Sequence, residues 1–141
     1  MREPKEIIIR GESLDKILAL HSKWLGNKFF SLFRSPLFRK GERAEIDRAN
    51  LSEAALRGVD LRGADLAFVD LRKADMRRAK LVRAYLHRAC LMEADLGGAD
   101  IRGANLSEIN LRQAVLSKAK LRSANIMESD LRGASFHGAD L

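Results

Sequence analysis

One cysteine, two prolines, one tryptophan and one tyrosine occur in the 141 residues, and each shortage excludes something. A single thiol, Cys90, cannot form an internal disulfide and fits a reducing compartment. No N-terminal run is apolar enough for a secretory signal, and none reaches the roughly 20 residues of a membrane span. The expected location is the cytoplasm, and the length suits one domain. His21, His87 and His137 have no metal-ligand spacing, and no nucleophile has a partner in sequence. The glycines form no phosphate loop. No catalytic residue, metal or cofactor is expected, and the chain reads as a non-enzyme.

What the sequence does have is a five-residue pattern running unbroken from residue 44 to residue 141. Large apolar centres fall every fifth position from Ile46 to Leu141, twenty in all. Two positions before each centre stands Ala, except at Val59, Val69, Ile109 and Ser129. The position between is mostly Asp or Asn, and the two that follow are mostly polar or Gly. On an α-helix the centres would drift about 140° per repeat and form no apolar stripe. In extended chain, residues two apart share a face, so Ala and Leu point inward together. Five is odd, so a corner must reset the direction once per repeat. Gly, confined to the two positions after a centre, suits such a corner. The chain therefore coils, with apolar residues inside and backbone paired coil to coil.

These Ala-(Asp/Asn)-Leu-X-X residues resemble the pentapeptide-repeat family over about 70% of the chain. The resemblance implies an all-β fold, a right-handed quadrilateral parallel β-helix with four repeats per coil. Twenty centres then make about five coils and a rod roughly 24 Å long. One ladder of the solid core would be Leu51, Leu71, Leu91, Leu111 and Leu131.

Residues 1–43 form the other part: a strand, a capping α-helix and an aromatic, basic linker. Ile7, Ile8 and Ile9 read as a strand, placed along the open edge of the first coil. From Ser13 as N-cap, Leu14, Ile17, Leu18, His21, Trp24 and Leu25 recur at helical spacing, and Gly26 ends the segment. This helix is expected to cover the first coil, with His21 as a packed cap residue. Leu20–Leu25 and Arg43-Ala44 also resemble the segment that precedes many bacterial pentapeptide arrays. In residues 27–40, Phe29, Phe30, Phe33 and Phe38 alternate with basic residues. Completing the cap core is the expected role, with a partner or self-association surface as the alternative.

Charge divides unevenly. Residues 1–43 carry ten basic and five acidic side chains, and residues 44–141 carry sixteen and fourteen. A twenty-residue coil aligns Asp60, Lys80, Asp100, Lys120 and Asp140, predicting a salt-bridge ladder with Arg62, Arg102 and Arg122 nearby. Arg72, Arg112 and Arg132 form a stripe on the opposite face. Both stripes are candidate interaction surfaces, although intervening Asp residues interrupt them. Tyr85 and His87 flank Leu86 as a small candidate recognition spot, though a chance pair is the commoner case on a long surface.

A scaffold for an unknown protein partner is the leading functional expectation. The resemblance supplies an alternative, because some pentapeptide-repeat proteins mimic duplex DNA and protect DNA gyrase from quinolones. Mimicry needs a strongly negative surface, and this rod is not one. Direct nucleic-acid binding is disfavoured, since exposed aromatics are missing from the basic stripes. The sequence stops on the centre Leu141, and an end-to-end homodimer through the last coil is a further expectation, with a parent protein that continues beyond residue 141 as the alternative.

Overall fold

The computed structural model describes Ile8, Ile9, Glu12, Ser13, Lys16, Ile46 and residues 48–141. Ile8–Ile9 (β1) is a strand as expected, and it pairs antiparallel with Glu12–Ser13 (β2). Ser13, the expected N-cap, lies in β2, in extended backbone that an N-cap also adopts. Lys16 is helical. The rest of the expected capping helix, with Leu14, Ile17, Leu18, His21 and Trp24, lies outside the described residues, as do Phe29, Phe30, Phe33 and Phe38.

The repeat region is a coil of twenty residues. Parallel bridges join each residue before a centre to its equivalent twenty residues on, from Asn50↔Asp70 to Lys120↔Asp140. One coil therefore holds four five-residue repeats and has four sides. Hydrogen bonding explains why five positions suffice. Around Leu71, the Asp70 N–H donates to Ala49 one coil back, and the Leu71 N–H to Cys90 one coil on. The Lys73 N–H reaches Met92, and the Ala74 N–H closes a tight turn on Leu71 at 3.1 Å. The remaining donor, Arg72 N–H, is taken by the Asp70 side chain at 3.1 Å. Every backbone donor of the repeat has a partner, as buried and edge backbone requires. The same Asx turn recurs at Asp65, Asp75, Asn105, Asn110 and Asp130, which gives Asp and Asn their place in the pattern.

The corner is a turn with left-handed backbone at its third residue. Positive φ occurs at every second position after a centre from Arg48 to Gly138, between 54° and 73°. Only this turn residue is positive, the pattern of a type II turn. Gly58, at φ 68°, occupies the slot at no steric cost. Thirteen such slots nonetheless hold non-glycine residues, so backbone pairing between coils outweighs roughly 1 kcal/mol of strain at each.

Inside, the centres from Ile46 to Leu121 are at most 4% exposed, with their Ala partners beside them. Leu51, Leu71, Leu91 and Leu111 are buried as expected, and Leu131 is half-buried. The axial seam among Leu81, Leu86, Leu91, Leu96 and their successors leaves no room for a water molecule. The core is solid. Ser129, the one hydroxyl at an inward small position, donates to the Leu106 carbonyl at 2.9 Å. In the last coil Ile126, Leu131 and Phe136 are half-buried, and Leu141 is 74% exposed.

Candidate protein-interaction face

Four columns of bridged residues define the four faces in chain order. They are named here for Tyr85, Cys90, Val115 and Lys80. The predicted arginines are exposed, but most are already engaged. Asp60 and Arg62, Asp70 and Arg72, Asp100 and Arg102, and Asp130 and Arg132 form forks within single repeats, with closest contacts of 2.6–2.7 Å. Arg122 bonds Asp140 at 2.8 Å. Arg112 donates its backbone N–H to Asn110 and, among the described residues, forms no ion pair, though its charge acts on Asp130.

The expected ladder of alternating charges forms a rung at Lys80–Asp60, at 3.7 Å. At Asp100 the carboxylate turns to Arg102 instead. Arg two residues beyond Asp shares its side of the turn and can grip both carboxylate oxygens, which a lysine one coil away cannot. These forks leave their mark on acidity. The Arg132 hydrogen bond holds Asp130 down to about 2. Arg72 and Arg77 likewise lower Asp70 and Asp75, in each case mainly by side-chain hydrogen bonding. At Asp60 burial pushes the carboxyl up, but the hydrogen bonds and charge of Arg62 outweigh it.

The Tyr85 face differs from the rest. Phe68, Tyr85 and Met127 stand 43%, 42% and 68% exposed, three of the five large apolar side chains exposed among the described residues. Phe68 occupies the left-handed corner position, with Arg48 one coil below and Arg88 one coil above. Their guanidinium carbons lie 5.4 and 5.9 Å from its ring centroid, within cation–π range. The His87 ring meets Phe68 edge-on at 5.8 Å. His87 Nδ1 lies 2.9 Å from Ser107 Oγ. Arg88 Nε donates to Glu108 at 2.7 Å, and this hydrogen bond lowers the Glu108 carboxyl. Arg48, Phe68, Arg88 and Glu108 thus form one corner column, braced on both sides and fixed by the coil backbone.

Sequence reading reached Tyr85 and His87 but missed Phe68, Arg48, Arg88 and Met127. A signal was available: Phe68 stands in a slot otherwise filled by polar residues or Gly. Stepping twenty residues either way then yields Arg48 and Arg88. Among the described residues, no group of three or more His, Cys, Asp or Glu is placed to hold a metal. No described helix is long and apolar enough to cross a membrane.

Comparison with known proteins agrees with this architecture. HetL of the cyanobacterium Nostoc sp. strain PCC 7120 is a pentapeptide-repeat protein involved in heterocyst differentiation regulation. It matches at 38% identity and TM-score 0.67, over 70% of this chain and 47% of HetL. The chain thus spans about half of HetL's length. AT2G44920, a pentapeptide-repeat protein of the Arabidopsis thaliana thylakoid lumen, matches at 30% identity and TM-score 0.68, over 69% of this chain and 68% of its own. No curated protein matches in sequence. A family profile described as pentapeptide repeats matches residues 42–63, 60–98, 94–133 and 109–141, in eight copies. The chain belongs to the pentapeptide-repeat family and folds as a right-handed β-helix.

Proposed function

We propose that this protein is a non-catalytic scaffold that offers its Tyr85 face to a protein partner. The exposed Phe68 ring, clasped between Arg48 and Arg88, carries the reading. Aromatic, Arg and Met side chains are enriched at protein interfaces and at their energetic centres. Here they are held on rigid backbone, so little ordering entropy remains to oppose binding. HetL, named for a regulatory role in differentiation, is consistent with action through other proteins. Action in the cytoplasm belongs to the same proposal.

The test places a photo-crosslinking residue at Tyr85 and, separately, at Arg112 on the adjoining Cys90 face. One defined partner is expected from the first position only, and Phe68→Ala abolishes it while leaving the melting temperature within about 2 °C. Equal capture from both positions, or capture indifferent to Phe68→Ala, refutes the assignment.

Among the described residues no face is strongly acidic, which weighs against the DNA-mimic alternative. The most acidic described face, that of Tyr85, carries two basic and three acidic side chains. Self-association through the last coil is the companion proposal, covering Ile126, Leu131, Phe136 and Leu141. A monomeric mass by light scattering at micromolar concentration removes it.

A further inference from the structure

Winding residues 44–141 sorts their charge in a way that their near-balanced sum, sixteen basic against fourteen acidic side chains, conceals. The adjoining Val115 and Lys80 faces carry ten basic and five acidic side chains, while the other two described faces carry six and seven. On the basic half every acid, Asp60, Asp75, Asp95, Asp100 and Asp140, is in an ion pair. Arg57, Arg78, Arg83, Lys118 and Lys120 have no carboxylate partner within salt-bridge distance among the described residues. The unneutralised charge is therefore all of one sign.

Its geometry is flat. Arg78, Arg83 and Lys118 lay their stems over a glycine one coil on. A Cβ added at Gly98, Gly103 or Gly138 would meet the Cγ of those side chains at 3.8, 3.6 and 3.6 Å. Arg78 and Lys118 are two coils apart, about 9.6 Å along the rod, with Lys80 and Lys120 on the same two levels. The result is one row of cations at Arg78 and Lys118 over Gly98 and Gly138, beside a second column in which Asp100, held by Arg102, separates Lys80 from Lys120.

We propose that this half of the rod binds the phosphate backbone of duplex nucleic acid, independently of base sequence. Val115, 39% exposed, is the one exposed large apolar residue described at an outward position there, since Leu141 is an inward centre. A single strand would need rings on which to stack its bases, and those rings lie on the Tyr85 face. A membrane surface would need apolar anchors, which are equally missing among the described residues of these faces. A flat face cannot enter a groove, so phosphates are what it can reach. The expectation against nucleic-acid binding came from the lack of exposed aromatics among the basic stripes, and that lack argues against a single strand rather than against a duplex.

The test is fluorescence anisotropy with a labelled mixed-sequence DNA duplex and the full chain. Binding is expected at about 50 mM salt, weakening steeply towards 200 mM by roughly 0.9 log units of affinity per log unit of salt for each phosphate contacted. The triple variant Arg78→Glu, Lys118→Glu, Lys120→Glu should bind at least about tenfold more weakly. Arg112→Glu, which reverses a cation on the Cys90 face that has no ion pair among the described residues, should change binding less than twofold. Glu occupies the same corner slot at Glu53, Glu93 and Glu108, so the two corner changes preserve the backbone. If the triple variant misfolds, Arg78→Gln with Lys118→Gln serves, since Gln113 also holds that slot. Absent binding at low salt, equal losses from Arg112→Glu and the triple variant, tighter binding to single strands, or preference for phosphatidylserine vesicles over duplex would each overturn the proposal.

Discussion

Shortening a single core centre tests whether the stacked leucines carry the stability of the rod. Leu91 is 1% exposed, with Leu71 and Leu111 one coil away on either side. Leu91→Ala removes apolar groups worth about 2.5 kcal/mol in transfer from water. The backbone around it is tied on both sides, by Leu91 N–H to Asn110 and Leu71 N–H to Cys90, each at 2.8 Å. The coil therefore cannot collapse to fill the space, and the cavity raises the loss to about 3–5 kcal/mol. Leu131 is already half-buried, so Leu131→Ala should cost about half as much. Urea unfolding followed by far-UV circular dichroism measures both, with the slope of the transition reporting whether it stays two-state. In thermal melts the central change should appear as a drop of about 10–15 °C. A loss below about 1 kcal/mol for Leu91→Ala, or equal losses at the two positions, would refute the view that intercoil side-chain stacking dominates.

Three further outcomes follow from the repeat. Ser123 has φ 60° and an exposed side chain, so Ser123→Val should cost about 1–2 kcal/mol while Ser123→Asn is neutral or slightly stabilising; identical melts for the two would exclude strain at the corner. Asn105 accepts from the Ser107 N–H at 3.1 Å and from the Asn125 side chain at 3.4 Å. Asn105→Ala should cost about 1 kcal/mol and Asn105→Asp less, as read by chemical denaturation. The lowered carboxyls of Asp70, Asp75 and Asp130 favour the folded state wherever they stay ionised. Their contribution is complete above the unfolded value near pH 4 and is lost as pH falls through the lowered folded values, about 2 for Asp130, so the melting temperature should be flat from about pH 8 to 5 and fall below 4. A melt unchanged at pH 3 would mean that the arginine forks add nothing.

The coil was legible because its cause is local. Ala74 and Met76 must face inward together, and five residues later Ala79 and Leu81 must do so again; only a corner between them permits it. That corner required a left-handed residue, and Gly58 and Gly63 marked its place. The Asx turn was present in the same pattern and went unread. Asp70 looks like a surface charge in sequence, yet its side chain takes the Arg72 N–H that no neighbouring coil can reach. The predicted ladder along Asp60, Lys80, Asp100 and Lys120 weakened for a related reason. A partner two residues away on the same turn competes with one twenty residues away, and a bidentate guanidinium outbids an ammonium at Asp100.

Function was harder to read because surface chemistry on a solenoid is written in columns rather than along the chain. Phe68 has Ala67 and Val69 as sequence neighbours, and neither hints at a binding site. Its working neighbours are Arg48 and Arg88, each twenty positions distant. The same reordering separates charge, since Arg78 and Lys118 share a corner that Glu108, ten residues from Lys118, does not. Inward positions answer to one requirement, to fill the coil, and the repeat therefore fixes them. Outward positions answer to the Asx turn and the left-handed corner only loosely, and otherwise to what meets the rod, so the repeat leaves most of their chemistry free. A residue that breaks the outward habit, as Phe68 does in a slot of polar residues and Gly, is consequently the most informative kind in such a chain. Its meaning emerges only when the sequence is folded at its own period.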